Sequence, residues 1–192
     1  MANCEDVIPL ENIDYCPTEE IVAGVSETGV FGASVYDFLT IAKPLDLKTG
    51  TSLESIATID IAHTFIVGRG FHRIYLDPDT GLVDTAQVGE KGNLNFNNSF
   101  SGGLQGTGPK NAGYVRKYKS TPMIFIIKEK DGHIKQIGSE LSPAYMTEVT
   151  ASSGQKAGDV KRTTIKLMDT APYPAPEYAG VITEFPAPAP LP

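Results

Sequence analysis

The groups in this chain of 192 residues that could act as acids, bases, nucleophiles or metal ligands are few: three histidines, two cysteines and scattered carboxylates. General acid–base or nucleophilic chemistry needs a base within hydrogen-bond reach of its partner. His63, His72 and His133 stand far apart on segments that read as strands or turns, and no cysteine has a histidine nearby. No G-x-S-x-G elbow occurs. His63 shares the apolar parity of an alternating stretch, the place of a hydrogen-bonded strand residue. Gly103 to Lys110, GLQGTGPK, echoes a phosphate-binding loop. Pro109 separates its last glycine from the lysine, and Asn111 stands where a Ser or Thr would hold magnesium. A glycine-rich strand end fits better. Asp77-x-Asp79-x-Gly81 begins like a calcium loop, but Val88 occupies the position of the bidentate carboxylate, so a turn is expected. Cys4 and Cys16 cannot form a four-ligand zinc site alone; they read either as two free thiols, as in a reducing compartment, or as one disulfide closing the loop between them. The chain is therefore expected to hold no catalytic, metal or cofactor site, and not to be an enzyme.

The remaining cationic cluster lies within Gly113–Gly138, GYVRKYKSTPMIFIIKEKDGHIKQIG. Tyr114, Val115 and Tyr118 recur at helical spacing, with Arg116, Lys117 and Lys119 on the polar face. Those three cations could touch phosphate, meet the carboxylates of a neighbouring copy, or simply solvate the helix. Pro122 disfavours helical geometry at Thr121 and restarts the chain as extended. Met123 to Ile127 is an apolar run of strand length, suited to burial on both faces. Asp131-Gly132 predicts a two-residue type I′ hairpin with positive φ at both centres.

Around this stretch the chain reads as β. Ile21–Val25 and Val30–Ile41 are expected as strands split by a turn at Glu27-Thr28-Gly29. Thr51 and Glu54 fit a capping box, predicting a helical turn over 52–57. Thr58–Val67 alternates as one strand. The hairpin read most clearly pairs FHRIYL (71–76) with LVDTAQV (82–88) across Asp77-Pro78-Asp79-Thr80-Gly81, proline preset for the turn and glycine taking positive φ. NLNFNNSFSGGL (93–104) is a polar strand with Leu94, Phe96 and Phe100 on one side. SPAYMTEVTA and VKRTTIKLM are strands around a flexible loop, with Ile165 and Leu167 inward and Val160 outward.

Net charge is −7, which argues against a protein built to grip nucleic acid. Residues 1–60 hold eleven acids against two lysines, while the rest holds fourteen bases against twelve acids. Such asymmetry suits either a solvated acidic arm or copies that meet head to tail. No secretory leader is visible after Met1 and no apolar stretch is long enough to span a bilayer, so a cytoplasmic protein without membrane contact is expected. Seven of fourteen prolines fall in 172–192, which favours extended geometry and reads as a disordered end or as an arm ordered on a neighbour. The expected organisation is an acidic arm (1–20), a β-rich domain (21–171) and a proline-rich arm (172–192).

From Phe71 onward the order of elements resembles the tail tube, or major tail, proteins of long-tailed bacteriophages and related injection-system tubes. The likeness rests on GRGF with its DPDTG turn, FNNSFSGGLQGTG, the short helix followed by TPMIFIIKEKDGHIKQIG, the SGQKAGD loop before VKRTTIKLM, and APYPAPEYAG. It implies a two-sheet β-sandwich or barrel-like core with one flanking helix, a long hairpin and extended termini. It further implies a virion protein, assembled in a bacterial cytoplasm, that forms stacked hexameric rings whose sheets join edge to edge around a lumen for DNA. Partners would be other copies, through ring and stacked-ring contacts, and other tail proteins, with DNA passing without specific binding. The inter-ring link would come from 41–55 or 71–88. Candidate contacts between copies are Asp77, Pro78 and Asp79, then Arg116, Lys117 and Lys119, and in the tail Pro174, Pro176 and Tyr178. The rival readings are a stand-alone β-sandwich binding or adhesion module, or another virion part such as a tail terminator or neck protein.

Overall fold

The computed structural model describes residues 8–13 and 21–185, so the expectations for Cys4, Cys16, most of the acidic arm and the last prolines lie outside the described residues. The described residues are mainly β with one α-helix, in a sandwich-like arrangement. In order come β1 (Val25–Ser34), a 3₁₀ turn (Val35–Asp37), β2 (Phe38–Thr40), β3 (Thr58–Ile59), β4 (Thr64–Phe65), β5 (His72–Ile74), β6 (Leu82–Glu90) and β7 (Asn93–Gln105). Then follow α1 (Pro109–Tyr118), β8 (Met123–Glu129), β9 (Ile134–Ile137), β10 (Tyr145–Ser152), β11 (Arg162–Ala171) and β12 (Glu177–Tyr178). One sheet has the order β3-β12-β9-β8-β1-β5, a second β10-β11-β7-β6, and β2 pairs with β4 in a small third layer.

β8 holds the layers together. Met123 to Ile127 are each at most 1% exposed, as the unbroken apolar run predicts. Met123, Phe125 and Ile127 meet Phe100, Ile165 and Leu167 of the second sheet. Ile124 and Ile126 pack on the other face with Phe31, Ile59, Phe71 and Tyr178, under Phe38 and Phe65 of the small layer. Each such side chain contributes about 1.5–3 kcal/mol of burial free energy. The helix lies against this core through Tyr114, Val115 and Tyr118. Pro109, which spoils the phosphate-loop reading, occupies the first turn of the helix, where its missing N–H costs nothing.

Several local expectations are corrected. The largest concerns the stretch read as a hairpin across 77–81. β5 pairs with β1 and β6 pairs with β7, so Asp77–Gly81 is a corner carrying the chain from one sheet to the other. The positive φ there belongs to Asp79 (55°), not to Gly81. Gly81 is needed for closeness instead, because a Cβ there would stand 2.5 Å from Val25 Cβ. The long hairpin is β6–β7, turning at Lys91-Gly92. Its tip runs past the core, which leaves Leu94 48% exposed while Phe100 is fully buried.

The expected turn at 27–29 is a bulge inside β1, where pairing to β8 shifts between Val25 and Val30. The β8–β9 connection is a three-residue loop rather than a type I′ turn. Glu129 N–H donates to His133 O (2.8 Å), and only Gly132 (φ 101°) has positive φ. Ser52 and Ser55, not Thr51 and Glu54, cap one another: Ser55 N–H donates to Ser52 Oγ at 3.1 Å and Ser52 N–H to Ser55 Oγ at 3.0 Å. They close a turn without a helix. Thr58–Val67 breaks into β3 and β4, so Ile61 and Val67 are exposed whereas His63 is buried between the two strands.

Candidate assembly interface

The residues singled out for contacts between copies fall in three places. Asp77 and Asp79 are tied to their own chain. Arg162 Nε lies 3.3 Å from Asp77 Oδ2, close enough for an ion pair though not aligned as a hydrogen bond. Lys130 Nζ reaches Asp79 at 2.7 Å and Glu27 at 3.2 Å. Pro78 is exposed between them. Arg116, Lys117 and Lys119 are exposed on α1, Lys117 sitting 4.8 Å over the Tyr118 ring, and among the described residues none pairs with a carboxylate.

The tail residues divide. Pro174 is exposed, but Pro176 is buried and its carbonyl accepts from Gln136 N–H at 2.9 Å. Tyr178 is 1% exposed within its own chain, its strand lying between β3 and β9. That part of the tail is a sheet strand of its own chain, so trimming 172–192 is expected to cost folding.

The histidines work as structural anchors in separate places. His63 Nδ1 accepts Ala42 N–H (3.0 Å), so its proton sits on Nε2 and faces Gln136 Oε1 at 2.9 Å. Tyr178 stacks on the ring at 4.8 Å, and its hydroxyl accepts His63 N–H (3.1 Å) and donates to Val181 O (3.2 Å). His72 ties β5 to α1 through Tyr114 Oη at 3.2 Å and a stack on Tyr118. His133 lies outside, 2.9 Å from Glu177 Oε2, which raises its pKa by hydrogen bonding and charge. Among the described residues no group of three or more His, Cys, Asp or Glu side chains converges as a metal site would require.

A buried polar knot stiffens the second sheet from beneath. Asp169 accepts from Asn98 Nδ2 (2.9 Å) and Gly138 N–H (2.5 Å), and Asn98 Oδ1 accepts from Thr85 Oγ1 (3.0 Å). Burial raises the Asp169 pKa, the hydrogen bonds opposing it. Gly138 takes φ 94°, with Met123 O only 2.6 Å from where a Cβ would stand.

The feature most able to act on another molecule is the second sheet itself. Its two end strands, β6 with nine residues and β10 with eight, are among the longest in the chain, largely exposed, and paired on one side only. Long unpaired edges invite pairing with another chain, and natural edges are usually blunted by lysine, proline or strong bulges. β6 and β10 contain neither lysine nor proline, and β10 carries a single register shift between Met146 and Glu148. The face turned from the core presents polar groups: Asn97, Ser99 and Ser101 on β7, beside Thr164 and Lys166 on β11 and Thr150 on β10. Successive strands are antiparallel, so β6 runs opposite to β10. Sequence reading found these strands but not their position at the ends of the sheet. That position depends on β5 and β6 parting at the corner, which no local signal marks.

Comparison with protein-family models, with curated proteins and with solved structures finds no match.

Proposed function

We propose that this chain is a structural subunit that assembles with copies of itself into rings, stacked into a tube of the kind that phage tail tube proteins build. The observation supporting this is the four-stranded sheet with two long open edges of opposite direction. Rotation about a common axis brings β6 of one copy beside β10 of the next in the antiparallel sense, so the same contact repeats until the ring closes. The ring then has no free edge in that sheet. The polar face of β7, β10 and β11 lines the lumen, and a chain of net charge −7 lets DNA pass without adhering. The subunit acts by shape and pairing rather than by chemistry. The exposed cations of α1 meet carboxylates of a neighbouring copy.

Sedimentation velocity at rising concentration with negative-stain electron microscopy of the same samples tests the reading. Rings or tubes are expected. A strictly monomeric profile at high concentration would reject assembly and favour a stand-alone binding module.

A further inference from the structure

Helix α1 has two working faces. Tyr114 and Tyr118 meet His72 on one side and tie the helix to β5. Ala112, Val115, Arg116 and Lys119 recur at i, i+3, i+4 and i+7 and form a second stripe. With Val149 and Ala151 of β10 and Thr163 of β11, this stripe encloses a groove of about 340 Å³. Those strand residues share one side of the sheet. Ala151 lies opposite Thr163, and Val149 lies opposite Ile165, which is fully buried in the core. The groove is therefore the sandwich interior carried past β11 to the edge strand. Its floor is apolar and reached by water, with Val149 36% exposed, and no strand lies beyond β10 among the described residues.

β6, at the other end of the same sheet, carries the matching side chain. Val83 lies opposite Phe100 and Thr85 opposite Asn98, both partners fully buried, so Val83 and Thr85 belong to the same interior layer. Val83 is itself only partly buried against its own core. In the antiparallel pairing that overlaps β6 and β10 most fully, Leu82 of one copy stands beside Ser152 of the next. Val83 then faces Ala151 and Thr85 faces Val149, each on the groove side. A slip of one residue turns Asp84 into the apolar groove and Val83 out of it. Arg116 and Lys119 make the rim of the groove positive. That rim favours a copy of this acidic chain, whose Asp77 and Asp79 lead into β6.

We propose that the groove between α1 and β10 is the seat for Val83 of the neighbouring copy, an inference that rests on the ring assembly proposed above. β6 of that copy extends the sheet at β10, and α1 covers the junction as it covers the interior of its own chain. The helix then sets the register of the joined strands, because Val83 is the one apolar side chain on that face of β6. It belongs to the joint between subunits and not only to the flank of one.

Cross-linking between mixed chains tests it, with Cys4 and Cys16 changed to Ser throughout. One chain bears Val83→Cys and the other Ala112→Cys, so any link between the new thiols joins separate copies. A short bis-thiol reagent is expected to give a covalent dimer in denaturing gels, from samples in which negative-stain electron microscopy shows rings. Moving the first thiol to the opposite face of β6, as Ala86→Cys, should lose that dimer. Ala112→Trp should leave the thermal midpoint of the dilute chain unchanged, because Ala112 is exposed. By filling the groove it should raise the concentration needed for rings about tenfold or more. Rings without the Val83 link, or rings of the Ala112→Trp chain at the original concentration, would overturn the proposal and leave the ring reading standing, the groove then having another occupant. Absence of rings from the unaltered chain would overturn both.

Discussion

His72 and His63 show how little room buried side chains leave for a change of charge. Burial, followed by the nearby Lys117 charge, holds the His72 imidazole down to about 4. Burial lowers His63 as well, against a hydrogen bond to Gln136 that favours the charged ring. In the unfolded chain both titrate near 6.5, so below that pH the unfolded state binds more protons and stability falls. For His72 the loss runs from pH 6.5 to about 4 and amounts to something on the order of 3 kcal/mol. His133 works in the opposite sense: Glu177 raises its pKa, so its contribution is present below 6.5 and lost as pH rises through the raised value. Asp169, also raised, stabilises in acid and loses that contribution as pH climbs from 3.8 through its folded value. Urea denaturation across pH should therefore show an acid limb that His72→Phe flattens between 6.5 and 4. An unchanged limb would mean that His72 is not held neutral. Tyr178→Phe removes one acceptor from His63 N–H and one donor to Val181 O inside the core. A loss of about 1–3 kcal/mol is expected by the same measurement, with the fold intact by circular dichroism.

At the scale of elements, the clearest case is the tail. β12 takes hydrogen bonds from both sides: Glu177 N–H donates to Ala57 O at 2.8 Å, and Gln136 N–H donates to Pro176 O at 2.9 Å. Deleting 177–192 should therefore lower the thermal midpoint of the monomer, and a midpoint unchanged by the deletion would show that β12 contributes no stability. The prolines hid this, because composition reports what a segment disfavours and not which two strands leave a slot between them. Much else was legible locally. Met123–Ile127 announces a strand buried on both faces, and Ile165 and Leu167 face inward while Val160 does not. Partnership across the corner at Asp77–Gly81 was not legible. A turn signal gives a change of direction, but whether flanking strands rejoin depends on competing edges elsewhere, here β1 for β5 and β7 for β6. The candidate assembly edges depend on that same parting, which is why residue types alone pointed to the turn tip.

At the scale of the whole molecule, the tube reading makes a demand on one strand edge. Glu90 and Asn93 close the two-residue turn of the long hairpin, so Glu90 bonds inward to β7 and alternation turns the Gln87 amide to the open side. Gln87→Pro should leave the monomer folded, since a proline there deletes a donor that meets no strand among the described residues. It should abolish rings and tubes in sedimentation and electron microscopy. Unaltered assembly would exclude β6 as the joining edge. The order of strands also carries a consequence for how the protein is made. The β6–β7, β8–β9 and β10–β11 pairs each join neighbours in the chain and can form as they emerge, whereas β3 waits for β12, a partner from the far end of the sequence. The six-stranded sheet is thus completed only once Glu177 and Tyr178 have been made. A polypeptide interrupted before Glu177 lacks the strand between β3 and β9, so both keep an unfilled edge until β12 arrives.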